Sequence, residues 1–316
     1  METVLRSASK QVVIGPGRPF CVIGERINPT GRRLFQEQLR RGDLSRVEID
    51  VAQQVAGGAM MLDVNMGAPL ADEAELMVKA VKLIGSLTDL PLCLDSSIIE
   101  VLDAGLAAYQ GKALVNSVTA EDERLEAILP LVARYGAAVI GLPNDEQEIP
   151  QDPARRLELA GKIIETATGK YGIAIEDVVI DPLAMPIGAD TSVVARTLET
   201  LELLRERYGV NTTLGASNVS FGMPDRVAIG AAFLPMASAA GLTSAIMDAR
   251  SPELVRAARA ADLLLNRDEW GAAWIAAHRA AAAAKAAAQG TAAAKAAAQG
   301  TAAAPSTAAA RAAAAP

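Results

Sequence analysis

Eight short stretches of this chain each end an apolar run in a carboxylate, a carboxamide or a hydroxyl. They are GERINPTG (24–31), LDVNMG (62–67), LCLDSS (92–97), LVNSVT (114–119), LPNDEQ (142–147), VIDPL (179–183), GASNVSFG (215–222) and SAIMDA (244–249). The groups at these run-ends are Glu25, Asn28, Asp63, Asn65, Asp95, Ser96, Asn116, Ser117, Asn144, Asp145, Asp181, Asn218 and Asp248. Carboxylates accept hydrogen bonds, and carboxamides both donate and accept. Gathered in one place, such a set suits a neutral heterocycle rich in N–H and C=O groups. Arg26 is the only cation directly at a run-end, so a phosphate-rich ligand would be repelled unless cations from elsewhere intervene. His278 is the only histidine, and there is no CxxC, HExxH or GxxxxGK[ST] motif. A histidine-ligated metal or a Ser–His–Asp triad is therefore not expected, and no protein-bound metal is.

A simpler account of each Asp or Asn is that it caps the helix that follows. It fits Asp95, Asn116, Asp181 and Asn218 poorly as a set. VIDPL places a proline directly after its aspartate, and SNVSFG leads into a loop.

These residues need elements to hold them. Apolar runs read as strands at 20–25, 60–65, 91–95, 113–117, 137–143, 178–182, 212–217 and 244–249. Segments of helical period lie at 44–58, 72–87, 97–109, 121–135, 152–171, 190–208, 224–241 and 251–266. Eight strands, each followed by a helix, in about 250 residues predict a (β/α)8 TIM barrel. The strands are apolar along their length, as a sheet covered on both faces requires. An open doubly wound sheet explains the alternation but not the count, and no GxGxxG opens a helix. In a barrel of this type the strand ends converge on one rim, where active sites lie.

The 316 residues carry 30 basic and 37 acidic side chains, a net charge of −7 that argues against nucleic acid as a partner. No run reads as a membrane span, and METVLRSASKQ has no apolar core of a signal peptide. Cys21 and Cys93 lie inside apolar runs, which suits free thiols in a reducing cytoplasm. Near residue 280 the composition changes: AAAKAAAQGT occurs twice and AAAPSTAAARAAAAP follows. The expected division is a barrel over 1–280 and a low-complexity tail over 281–316 that lacks the side chains to join a core and is expected to be mobile.

The ordered motifs GERINPTG, LDVNMG, LCLDSS, VNSVT, RYGAAVIGLPNDEQ, VIDPL and GASNVSFG resemble the pterin-binding methyltransferases: the methyltetrahydrofolate–corrinoid protein methyltransferases and the folate module of cobalamin-dependent methionine synthase. The likeness runs over about residues 12–270 and implies a barrel like that of dihydropteroate synthase. It implies that Asp95, Asn116 and Asp181 hold the pterin ring by its amino and N–H edge. Asn218 matches the asparagine near N5, and Glu25, Asn28, Asp63 and Asn65 match further rim positions. The implied substrate is methyltetrahydrofolate. The implied acceptor is cobalt(I) of cobalamin carried on a partner corrinoid protein, because two separated cysteines and this length leave no room for a thiolate zinc module or a cobalamin domain. The expected assembly is a homodimer. Dihydropteroate synthase activity is the alternative, disfavoured because GASNVSFG lacks the lysine and arginine of that enzyme's late strands. A non-catalytic folate-binding barrel is the other alternative.

Overall fold

The structure, a computed structural model, describes residues 1–146, 149–283 and 286. The chain divides into two units, Met1–Arg267 and Asp268–Pro316. In the first, an antiparallel hairpin of β1 (Thr3–Arg6) and β2 (Gln11–Ile14) precedes everything read from the sequence. Then come β3 (Cys21–Ile27), α1 (Arg33–Arg40), α2 (Ser45–Gly57), β4 (Met61–Asn65), α3 (Glu73–Leu87), β5 (Leu92–Asp95), α4 (Ile99–Ala108) and β6 (Leu114–Thr119). The series continues with α5 (Asp122–Tyr135), β7 (Ala138–Leu142), α6 (Pro153–Glu165), β8 (Val178–Ile180), α7 (Val193–Arg207), α8 (Arg226–Ala240), β9 (Ser244–Met247) and α9 (Pro252–Leu264). In the second unit a 3₁₀ turn, Glu269–Gly271, leads into helix over residues 272–283. The expected tail, 281–316, lies outside the described residues except for 281–283 and 286.

Seven strands form one parallel sheet in the order β8-β7-β6-β5-β4-β3-β9. The expected strand at 212–217 differs from the reading. It is an extended segment that makes single bridges, Thr212 to Ile180 and Gly215 to Ile246, before a 3₁₀ turn begins at Ala216. Its backbone still joins the two sheet edges. Ile180 N donates to Asn211 O (2.9 Å) and Ser244 N to Thr212 O (3.0 Å). The curled sheet is thereby closed in the (β/α)8 manner, with residues 211–215 in the seventh place.

Inside the barrel, Cys21, Ile23, Met61, Cys93, Leu114, Ala138, Ile140 and Val179 pack together with Leu5, Val12 and Ile14 of the hairpin. The hairpin is thus the floor of the barrel. Its burial of three apolar side chains explains its presence, although its strands are too short to stand out in the sequence. The helices bury their apolar stripes against the outside of the sheet. On α3 that stripe is Leu76, Met77, Ala80, Val81 and Ile84, and Asp72 caps the helix by accepting from Glu75 N at 2.9 Å.

Two helices depart from the reading. α1 was not expected; its residues Phe35 and Leu39 are buried. The helix expected over 152–171 stops being α-helical at Glu165 and passes into a π turn, Thr166–Lys170. There the Thr166 and Thr168 hydroxyls donate back to Lys162 O (2.7 Å) and Ile164 O (2.9 Å), competing for the helix's own acceptors.

Candidate active site

Side chains on a strand alternate between its two faces. The inward positions are Cys21, Ile23 and then Glu25 on β3; Met61, Asp63 and Asn65 on β4; Cys93 and Asp95 on β5; Leu114 and Asn116 on β6. The two-residue period that builds the apolar interior therefore runs on into polar residues at the C-terminal ends. Asn65 is the register partner of Asp95, and Asp95 of Asn116, so these three form one row across adjacent strands. Asp181 follows β8 directly and Asp248 follows β9.

The row is bonded within itself. Asn65 Nδ2 donates to Asp95 Oδ2 at 3.0 Å, and Gly67 N donates to Asn65 Oδ1 at 2.7 Å. Asn116 Nδ2 donates downward to Asp63 Oδ1 at 3.0 Å. Asp63 is only 2% exposed and so lies beneath the rim rather than on it. Burial, and then the charge of Asp95, push the Asp63 carboxyl well above the ordinary range. Burial raises Asp95 too, opposed by the hydrogen bond from Asn65. Burial also pushes Asp181 up to about 7, opposed by the Leu183 N–H at 2.7 Å and by the charge of Arg156. Glu25 is raised by burial, against the Ser217 hydroxyl that donates to it at 2.8 Å. Carboxyls pushed up by desolvation in a concave rim are characteristic of functional sites. Asp248 goes the other way. Burial works against it, yet hydrogen bonds from Arg250 Nε (2.9 Å) and Nη2 (2.7 Å) hold it below the ordinary range.

Helix capping does not account for the rim. The side-chain caps belong to Asp72, Asp152, Asp225 and Ser251, none of them a rim residue. Two other positions are engaged locally. Asn28 Oδ1 accepts from Thr30 N at 2.9 Å, a turn within its own loop, and Asp145 pairs with Arg155 at 2.7 Å.

Asn218 stands on the 3₁₀ turn Ala216–Ser220 and is exposed. Its backbone braces the loop, since Phe221 N donates to Asn218 O at 3.0 Å, while its carboxamide makes no hydrogen bond to any described residue. Gly215 makes room for that carboxamide: a Cβ there would lie 2.9 Å from Asn218 Nδ2. Arg226 Nη2 fixes the turn from outside by donating to Ser217 O at 2.6 Å.

Several supporting residues had no signal in the motif spacing. Gln54, fully buried on α2, accepts from Arg26 N at 2.9 Å, and Gly24 leaves it the space: a Cβ there would lie 2.3 Å from Gln54 Oε1. Arg156 on α6 is fully buried. Its Nε donates to Pro150 O (2.8 Å), and its Nη1 to Pro182 O (2.9 Å) and Leu183 O (3.0 Å), which pins the loop that carries Asp181. Ser217 ties the Asn218 turn to Glu25. Among the described residues no group of three His, Cys, Asp or Glu side chains is arranged to hold a metal, and no helix is long and apolar enough to cross a membrane.

Comparison with known proteins gives this geometry its context. Residues 24–248 match the family model described as pterin binding enzyme. Over 270 residues the chain is 33% identical to methionine synthase of Mycobacterium leprae (strain TN), which covers 79% of this chain and 22% of that protein. It is 34% identical over 241 residues to methionine synthase of Mycobacterium tuberculosis (strain ATCC 25618 / H37Rv), 72% of this chain and 20% of that one. The chain thus spans about a fifth of the length of these two relatives. It is also 28% identical over 255 residues to methylcorrinoid:tetrahydrofolate methyltransferase of Eubacterium limosum, 79% of this chain and 92% of that protein. Among solved structures, dihydropteroate synthase of Xanthomonas albilineans in complex with 7,8-dihydropteroate superposes with a TM-score of 0.64 at 22% identity, covering 83% of this chain and 98% of that one. At that identity the likeness speaks for the fold.

Proposed function

The chain belongs to the pterin binding enzyme family, and from that premise we propose that it transfers a methyl group between N5 of methyltetrahydrofolate and cobalt(I) of cobalamin carried on a separate corrinoid protein. The observation that carries the proposal is the polar row Asn65–Asp95–Asn116, which with Asp181 forms a desolvated rim over an apolar barrel. In this reading Asp95, Asn116 and Asp181 hold the ring through its amino and N–H groups. Asp63 fixes the Asn116 carboxamide from below. Asn65 does the same for Asp95. Glu25 and Asn28 lie on the flank, with Glu25 held by Ser217.

The chemistry asks little else of this chain. The cobalt(I) electron pair forms the Co–C bond while the N5–C bond breaks. N5 keeps that bond's electrons and takes up a proton. A tertiary amine is a poor leaving group until N5 is protonated or strongly hydrogen-bonded. The protein's work is to hold the donor in line and to stabilise the charge change at N5. A carboxamide can donate to the amine with no ionisable group to tune, and the Asn218 carboxamide is hydrogen-bonded to no other described residue.

Asp181→Ala is expected to weaken methyltetrahydrofolate binding by about 1–3 kcal/mol, the cost of leaving buried partners unpaired. A titration that returns the wild-type Kd removes Asp181 from the clamp. Asn218→Ala is expected to slow methyl transfer to cobalt(I) by about 10–1000-fold, with a smaller effect on KM, because its bond strengthens as charge develops at N5. Stopped-flow loss of cobalt(I) at saturating methyltetrahydrofolate reads that step, and a near wild-type rate would take Asn218 out of the mechanism. A synthase reaction has nothing in its favour here beyond the shared barrel.

A further inference from the structure

Among the described residues, Arg156 is the only lysine or arginine that is fully buried. It pairs directly with no carboxylate there, and its hydrogen bonds all go to the carbonyls of Pro150, Pro182 and Leu183. Its Nη2 is buried without a hydrogen-bond partner. Neutral donors could tie the same loops at less cost, because an unpaired cation loses its hydration on burial. Burial accordingly pushes the guanidinium below its ordinary range, and the charge that opposes this is Asp181. Asp181 in turn feels the charge of Arg156. Between the two lies a single peptide group. The Pro182 carbonyl accepts from Arg156 Nη1 at 2.9 Å, and the N–H of that same peptide, on Leu183, donates to Asp181 Oδ1 at 2.7 Å. Leu183 has a φ of +62°, in the left-handed region that a leucine rarely adopts. Its carbonyl is held there by Arg156 Nη1 (3.0 Å) and Thr197 Oγ1 (3.1 Å). Backbone in that region persists only where its surroundings hold it, and here it turns the Leu183 N–H onto the carboxylate. Asp181 Oδ2 takes no hydrogen bond from a described residue, which leaves it to a ligand.

We propose that Arg156 is a positioning residue for the substrate: through the Pro182–Leu183 peptide it aims the Asp181 carboxylate at the ring and supplies the positive charge that keeps it an acceptor. The role of Asp181 in this rests on the methyltetrahydrofolate reading above. A cation on the carbonyl side of a peptide polarises it and strengthens the N–H···O bond on the other side. A hydrogen bond donated to a carboxylate favours its ionised form. Arg156 thus acts on Asp181 twice, by its own charge and through the peptide between them. The other charges of the elements packed around Asp181 are engaged elsewhere. Arg196 of α7 acts on Arg156 and is itself held by Asp190 at 3.0 Å. Asp145, beyond β7, pairs with Arg155 at 2.7 Å. A residue that only tied the loops together would add stability and leave the titration of the rim alone.

The test is the pH dependence of methyltetrahydrofolate binding in wild type, Arg156→Gln and Arg156→Lys, with thermal melts to show that each variant folds. Wild-type affinity is expected to tighten as pH rises through about 7. Glutamine keeps a donor and loses the charge, so its midpoint is expected to move up by about one pH unit. Its Kd is then expected to be about 5-fold weaker at pH 7, where less of the protein is ionised, and within about 2-fold of wild type at pH 9. Lysine keeps the charge and loses the planar fork, so its midpoint is expected to stay in place while its Kd weakens by one factor at every pH. A wild-type midpoint in the glutamine variant, or the same pH-independent weakening in both variants, overturns the proposal and leaves Arg156 a tie between loops. A second measurement needs neither variant nor substrate. In the unliganded wild-type protein the amide proton of Leu183 is expected to move downfield in NMR spectra as pH rises through about 7, following the carboxylate it meets. An amide that does not titrate overturns the peptide link even where the variants fail to fold. If wild type binds no methyltetrahydrofolate at any pH while that amide titrates, the functional reading has failed and the link between Arg156 and Asp181 stands without it.

Discussion

At the scale of single residues, the rim is expensive to keep. Each of Asp63, Asp95, Asp181 and Glu25 is pushed towards its protonated form by burial, so each would be easier to fold without its charge. Asp181 shows the consequence most directly, because its carboxyl titrates at about 7 in the folded chain and at about 4 in an unfolded one. Between those values the folded chain holds a proton that the unfolded chain has released. Stability is therefore lost as pH rises through that window. Asp181→Asn is nearly isosteric with the protonated form, so it should melt close to wild type at pH 4 and above wild type at pH 8. The same variant should bind methyltetrahydrofolate less well, since the amide replaces one of the carboxylate's two accepting oxygens with an N–H donor. Wild-type affinity should itself tighten as pH rises through about 7, as the carboxylate forms. Thermal melts at the two pH values check the first part, and an Asn variant less stable than wild type at pH 8 would show that Asp181 is not desolvated as its surroundings imply.

At the scale of elements, the molecule is a closed sheet with a floor. The floor depends on Leu5, Val12 and Ile14, and on Asn211, whose Nδ2 donates to Thr3 Oγ1 and Ile14 O, both at 2.9 Å. Leu5→Ala empties a fully buried position and should cost about 2–5 kcal/mol. Asn211→Ala strands two buried acceptors and should cost about 1–3 kcal/mol. Urea unfolding reads both, and a change below about 0.5 kcal/mol for Leu5→Ala would mean that the hairpin does not seal the barrel. The hairpin escaped the sequence reading because two four-residue strands joined by SASK show no period long enough to register. The seven laddered strands and most helices were legible because each buries a continuous apolar run or stripe. Residues 211–215 were legible as extended but not as a segment that bridges without laddering, because Gly215 and the turn at Ala216 end it early. The rim residues were legible as run-ends, since position at the end of a strand is a fact of sequence. Gln54 and Arg156 were not, because helices carry them to the rim and only the folded chain brings them there.

At the scale of the whole molecule, every rim residue from Glu25 to Asp248, and the apolar interior beneath them, belongs to the unit Met1–Arg267. Residues 281–316 contain only Ala, Lys, Gln, Gly, Thr, Pro, Ser and Arg. Burying a side chain larger than a methyl is what gives a segment its hold on a core, at about 25 cal/mol per Å² of apolar surface. This stretch has no Leu, Ile, Val, Met or aromatic side chain with which to do so. A chain ending after Arg279 should therefore keep the methyltetrahydrofolate Kd within about 2-fold and the thermal midpoint within about 2 °C, less than one kcal/mol shifts a domain of this size. Differential scanning calorimetry and a binding titration on the shortened chain decide the matter. A midpoint lower by 5 °C or more would show that the alanine-rich segment packs on something despite its composition. A loss of affinity at an unchanged midpoint would show instead that it reaches the substrate.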